Sequence, residues 1–209
     1  MDKDYLKYYE VYRLKYTEAK VNQKKKKGII AIDFDNTITK ISLPLYILKL
    51  QWDLDPDKFS KTIPSIIEEH GLKNIISTPF LDRDFTDYLR TINKDNIKII
   101  VVSYGVKKGI RLIIEELGLD SIFDSIITPQ DLGLKDGYDC FQISDGKNKM
   151  IKLAQKEFGE EYNNVLLVDD SQRNIEQAQK NKYSTSLVKG DKGMTYQNVD
   201  DIVKFVDSF

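Results

Sequence analysis

Residues 28–37 read Gly-Ile-Ile-Ala-Ile-Asp-Phe-Asp-Asn-Thr: a short apolar run, then two carboxylates two positions apart. An apolar run without polar alternation reads as a strand buried on both faces, which is the habit of a parallel sheet. Runs of this kind recur at Ile97 to Val102 (IKIIVV), about Ile122 to Thr128 (IFDSIIT) and Val165 to Val168 (VLLV), with a weaker one from Thr185 to Val188. Between them lie amphipathic stretches at 80–92, 106–117, 147–158 and 172–181, and a short closing helix is expected from Val199 to Val206. Gly118 and Gly159 stand where helix C-termini are expected. Strands alternating with helices predict an α/β fold, a Rossmann-like parallel sheet flanked by helices.

The 209 residues leave room for one such domain and a small insert. With 41% hydrophobic and 31% charged residues the chain can bury a core and is too apolar for a disordered polymer. Lysine and arginine number 32 against 33 acids, so bulk charge gives no argument for nucleic acid or an anionic membrane. A single cysteine, Cys140, excludes an internal disulfide and a cysteine zinc site, and it fits a reducing compartment. No uncharged run approaches the ~18 residues that span a bilayer. The N-terminus mixes Asp2, Asp4 and Glu10 with lysines and offers no apolar stretch of a secretory signal, so the expected address is cytoplasmic.

Outside the alternating core, Tyr5, Tyr8 or Tyr9, Tyr12 and Tyr16 fall at helical spacing and predict a helix whose aromatic stripe packs on the domain. Lys24 to Lys27 read as a solvated linker, which makes 1–27 an N-terminal helix and basic linker ahead of a domain over 28–209. The first two strands are too far apart for a simple crossover. Residues 41–78 are therefore an insert of about two helices, punctuated by Pro44, Pro56 and Pro64. Trp52 is read as core of that insert, and His70 as a helix-end residue favoured by the dipole.

The chemistry gathers at strand ends. Asp33 and Asp35 follow the first strand, and burying two acids together is costly unless a cation or hydrogen bonds offset their repulsion. The fourth strand also ends in acids, in Val-Asp-Asp-Ser-Gln-Arg-Asn over 168–174. In an open parallel sheet ligands sit beyond the carboxyl ends of the strands, so Asp33, Asp35, Asp169 and Asp170 are expected at one rim. The second strand brings the Ser103 hydroxyl to the same edge, with Tyr104 and Gly105 behind it. Ligands that are all oxygen suit Mg²⁺ rather than zinc. Lys147 and Lys149 open the helix before the fourth strand. Lys147 extends the face of Met150, Ile151 and Ala154, whereas Lys149 is turned away, so if the substrate is a phosphate Lys147 is favoured over Lys149 as the cation that meets it.

These elements, D-F-D-N-T after a strand, Ser103 after the next, a lysine opening a later helix and D-D-S-Q-R-N after another strand, resemble motifs I to IV of the haloacid dehalogenase-like hydrolase superfamily. The resemblance runs in order from about residue 28 to 182. It implies an Mg²⁺-dependent phosphatase in which Asp33 is the nucleophile that forms an aspartyl-phosphate and Asp35 is the general acid and base. It implies Mg²⁺ held by Asp33, the backbone carbonyl of Asp35, and Asp170. Asp169 is then a direct or water-mediated ligand, and Asn174 and Ser171 stand one layer out. Ser103 and Lys147 hold the phosphate oxygens, Asn36, Tyr104 and Gly105 are further substrate-binding positions, and Thr37 braces the first loop through its hydroxyl. The 41–78 insert becomes a small helical cap, which leaves the site open enough for bulky phosphomonoesters.

The expected partner is a phosphorylated substrate, with metabolite, protein and nucleic-acid end all left open. The same nucleophile would also serve a phosphotransferase or phosphomutase. A receiver-like signalling domain would rarely carry the second acid of D-F-D-N-T, and a retired phosphate-binding module would have no need of the full set of acids and lysine.

Overall fold

The computed structural model describes residues 26–42, 64–65, 67–92, 94–134 and 145–209. The tyrosine stripe, most of the 41–78 insert including Trp52, and Cys140 lie outside the described residues. Five parallel strands, β1 (Gly28–Ile32), β2 (Ile97–Val102), β3 (Ser125–Ile127), β4 (Asn164–Asp169) and β5 (Ser184–Leu187), stand in the order β3-β2-β1-β4-β5. The chain winds outward from β1 to β3 and then crosses back to β4. The reversal falls between β1 and β4, where such sheets open a crevice.

Alternation along the strands divides the core into two layers. Ile30, Ile32, Ile97, Ile99, Val101, Leu166 and Val168 face one side. Helices α1 (Leu72–Ile75), α2 (Thr78–Leu81), α3 (Arg83–Thr91), α4 (Lys107–Glu116) and α7 (Tyr196–Val206) supply the apolar partners there, among them Phe80, Phe85, Ile110, Ile113 and Ile202. Ile29, Ala31, Ile100, Val102, Val165 and Leu167 face the other side. They meet Met150, Ile151 and Ala154 of α5 (Gly146–Phe158) and Ala178 of α6 (Gln172–Lys180). The sheet is thus covered on both faces, as its uninterrupted apolar strands require.

Three elements differ from expectation for local reasons. The stretch 80–92 is not one helix: Asp82 is extended and ends α2. Its carboxylate accepts the Asp84 N–H at 2.9 Å as the N-cap of α3 and the Tyr196 hydroxyl at 2.7 Å. Strand β3 begins only at Ser125. Asp124 N donates to Ile99 O at 2.7 Å, but its carboxylate, paired with Lys94 and Lys98, takes the Ile99 N–H at 2.8 Å that the backbone of residues 122–123 would have used. Helix α7 starts three residues earlier than expected because Thr195 and Asn198 form a reciprocal capping box, with the Thr195 N–H bound to Asn198 Oδ1 at 3.0 Å.

Residues 38–40 and 75–77 meet in a narrow neck. Thr39 pairs antiparallel with Ile76, Lys40 N donates to Ile75 O at 2.6 Å and Ser77 N donates to Ile38 O at 2.9 Å. A loop after β5 locks this neck in place. Met194 N donates to Thr37 O at 2.9 Å, and Gly193 sits at φ +66° with no space for a side chain: a Cβ there would stand 2.8 Å from both Ser77 Cβ and Thr37 O.

Candidate active site

The register of the sheet predicts where the acids go. Ile32 lies beside Val101 on one flank and Val168 on the other, so Asp33 follows between Val102 and Asp169. The Asp33 N–H extends the ladder by donating to Val168 O at 2.9 Å. By parity Asp33 continues the Ile29 and Ala31 face, and Asp169 continues the Val165 and Leu167 face. Both carboxylates therefore point to the side occupied by α5, and the first turn of that helix delivers Lys147 to them.

The Lys147 ammonium donates to Asp33 Oδ1 and to the backbone carbonyl of Val102, and it stands 3.6 Å from Asp169 Oδ2. All three side chains are buried. Lys149 faces solvent two residues on. Asp170 is half-buried, and together Asp33, Asp169 and Asp170 offer carboxylate oxygens that all lie within 4.8 Å of one another. Three acids against one ammonium leave an excess of negative charge in a dry place. Burial pushes the Asp33 carboxyl well up from its ordinary value, against the pull of Lys147 and with the push of Asp169 and Asp35. Asp169 is raised by the same burial, although Lys147, the Asn174 amide and the Ser171 N–H counter it. Lys147, with two carboxylates against it, is held protonated despite its burial.

Asp169 is tied from several directions. Ser171 N donates to Oδ1 at 2.8 Å, and Asn174 Nδ2 reaches both oxygens at 3.0 and 3.1 Å. Asn174 can do this because Ser171 caps α6, accepting the Asn174 N–H at 3.4 Å and starting the helix beneath the acid. Asp170 carries no such bonds to these groups, is more exposed, and is the acid best placed to meet a cation arriving from solvent. A hard, all-oxygen donor set with surplus negative charge fits a divalent ion of the Mg²⁺ type.

The turn after β1 is a wide one. Thr39 N closes it on Phe34 O at 2.9 Å, and Asn36 occupies the left-handed region at φ 56°, which asparagine tolerates. This turn lifts Asp35 to the rim, half-buried, with Oδ2 3.4 Å from Ser103 Oγ. Ser103 is itself fully buried. Its hydroxyl accepts the Gly105 N–H at 2.9 Å and directs its hydrogen towards Asp35.

The brace expected from Thr37 is not found. Its hydroxyl is buried without a hydrogen-bond partner among the described residues, as is that of Ser77. Thr39 does the work instead, donating to Ile41 O at 2.7 Å and lying 3.1 Å from Phe34 O. Sequence reasoning also passed over the Gly-Asp-Lys-Gly stretch at 190–193 that packs on this turn; two glycines three apart after a strand were the available signal. Tyr104 and Gly105 lie where β2 ends, with the Tyr104 ring under the Lys147 ammonium, 5.1 Å from its centroid.

A model of the haloacid dehalogenase-like hydrolases matches residues 47–180, a span that takes in Ser103, Lys147 and the acids of β4 but begins after the D-F-D-N-T turn. No curated protein matches the chain significantly. Among solved structures, a predicted HAD-like family hydrolase from Porphyromonas gingivalis is similar with a TM-score of 0.50 at 14% identity, over 86% of this chain and 98% of its own. The HAD domain of the effector protein Lem4 from Legionella pneumophila gives 0.50 at 17% identity, over 87% and 96%. A HAD family enzyme from Bacteroides thetaiotaomicron, solved with magnesium and inorganic phosphate, gives 0.49 at 13% identity, over 83% and 98%. At such identities the two likenesses at a TM-score of 0.50 speak for the fold alone, and the family match speaks for descent: the chain belongs to the haloacid dehalogenase-like hydrolases.

Proposed function

We propose that this hydrolase is an Mg²⁺-dependent phosphomonoesterase that works through an aspartyl-phosphate on Asp33. One observation carries the reading: Asp33, Asp169 and Asp170 offer oxygens within 4.8 Å of one another, with the Lys147 ammonium against two of them. Such a site attracts a divalent cation and then a phosphate.

In the first step an Asp33 carboxylate oxygen forms a bond to phosphorus while the bond from phosphorus to the leaving oxygen breaks, and Asp35 gives that oxygen its proton. In the second step Asp35 takes a proton from water, whose oxygen attacks phosphorus and releases Asp33 and inorganic phosphate. Lys147 neutralises the non-bridging oxygens, with Asn36, Tyr104 and Gly105 around them. Ser103, whose hydroxyl lies 3.4 Å from Asp35, keeps that acid aimed at the leaving group. Asp33, the Asp35 carbonyl and Asp170 would hold Mg²⁺, with Asp169 a direct or water-mediated ligand, and the ion would supply charge that lets a carboxylate approach a phosphate. Residues 41–78 form a small cap on the neck described above, so that bulky as well as small phosphomonoesters enter.

The test is a panel of phosphomonoesters assayed for released phosphate with and without Mg²⁺, on the wild type and on Asp33→Asn. Loss of turnover in the variant, and a phosphoryl group trapped on the wild type by rapid acid quench, are the expected results. Turnover that survives in Asp33→Asn removes the nucleophile, and transfer of phosphate to an added sugar hydroxyl instead of water makes the chain a phosphotransferase.

A further inference from the structure

We propose that Tyr104 is a positioning residue for Lys147, its ring fixing where the ammonium stands when substrate phosphate arrives. The inference rests on the reading of Lys147 as a phosphate ligand and assigns the group that sets it.

Two observations converge on this side chain. Its ring lies beneath the Lys147 ammonium, 5.1 Å from centroid to Nζ. Gly146 makes the seat for the ring. A Cβ on Gly146 would lie 2.6 Å from the Tyr104 Oη and 2.9 Å from Cε1, so no larger residue fits there with the ring in place.

The chemistry explains why an aromatic group suits this flank. Lys147 has to turn hydrogens from Asp33 to phosphate as substrate binds. A carboxylate beneath it would compete for those hydrogens and add to an excess of acid. A ring face attracts the ammonium, keeps water away and takes no N–H from it. With the ring against its ammonium, Lys147 keeps its position while its partners change.

The experiment uses the full chain and inorganic phosphate as the probe, with steady-state kinetics on a phosphomonoester beside it. Tyr104→Leu is expected to weaken phosphate binding about tenfold and to raise KM by a similar factor, with kcat falling less than about threefold. Tyr104→Phe keeps the ring and is expected within about threefold of the wild type. Gly146→Ala, which displaces the ring without touching it chemically, is expected to behave like Tyr104→Leu. In a Lys147→Met background Tyr104→Leu is expected to add less than about a twofold loss, since its effect passes through the lysine. The proposal is overturned if Tyr104→Leu and Gly146→Ala bind phosphate as the wild type does, if Tyr104→Phe is as impaired as Tyr104→Leu, or if the losses in the Lys147→Met background are undiminished. Asp33→Asn keeps the two readings apart: persistence of its turnover defeats the nucleophile assignment, whereas the tyrosine is judged by phosphate binding.

Discussion

Asp33 is a residue that the folded state holds at a cost. Its carboxyl is raised by burial, so relative to the unfolded chain the native state prefers it protonated. The sign follows: the cost is absent below the ordinary aspartate range, near about pH 4, and grows as pH rises through the raised folded value. Asp33→Asn is therefore expected to raise the melting temperature of the metal-free protein at pH 7, with the gap to the wild type closing as pH falls towards about 4. Calorimetric scans in EDTA at several pH values check this. Added Mg²⁺ at about a hundred times its dissociation constant should then stabilise the wild type by roughly 5 °C and leave Asp33→Asn nearly unmoved. The two lysines at the mouth of α5 separate in the same way. Lys147→Met is expected to lower kcat/KM by at least about a hundredfold, while Lys149→Ala, altered only at the solvent face, should leave kinetics within about twofold. Lys147 was legible beforehand because a helix face is arithmetic. The Thr37 and Thr39 exchange was not, since residues two apart with the same side chain differ only in how the turn between Phe34 and Thr39 is wound.

At the scale of elements, most boundaries were written in the chain, and the exceptions share a cause. Strand β2 and helices α4, α5 and α6 follow from apolar period and from the glycines that end two of them. The break at Asp82, the late start of β3 and the early start of α7 each depend on one polar side chain bonding a backbone N–H, which period counting does not register. Of these Asp82 carries most, as it both caps α3 and receives the Tyr196 hydroxyl of α7. Asp82→Ala is expected to cost about 2 kcal/mol, from a lost cap and a lost hydrogen bond to a charged group. Urea unfolding should show the midpoint falling with the slope unchanged.

For the whole molecule, the sheet order decides what chemistry is available. Placing β1 between β2 and β4, with α5 packed against their ends, puts acids, hydroxyl and lysine from four stretches of chain at one rim. That convergence could be foreseen from parallel strands alone, because a parallel sheet collects all its carboxyl ends on one edge. The neck at Thr39 and Ile76 could not, since a single antiparallel bridge leaves no pattern in composition. Its ends meet within hydrogen-bonding distance, so the length of chain between them is nearly irrelevant to the sheet, loop closure growing only slowly with length. On the proposed reading of this segment as a cap, replacing residues 43–63 with a short glycine-containing linker, which spares Ile67 and Leu72 where they pack on the core, is expected to leave cooperative thermal unfolding and phosphate binding near those of the parent, with discrimination between large and small phosphomonoesters reduced. On the proposed reading of residues 41–78 as a cap, a chain gathered at such a doorway would change its substrate preferences by swapping one contiguous cassette, with the acids and lysine of the sheet rim left as they are.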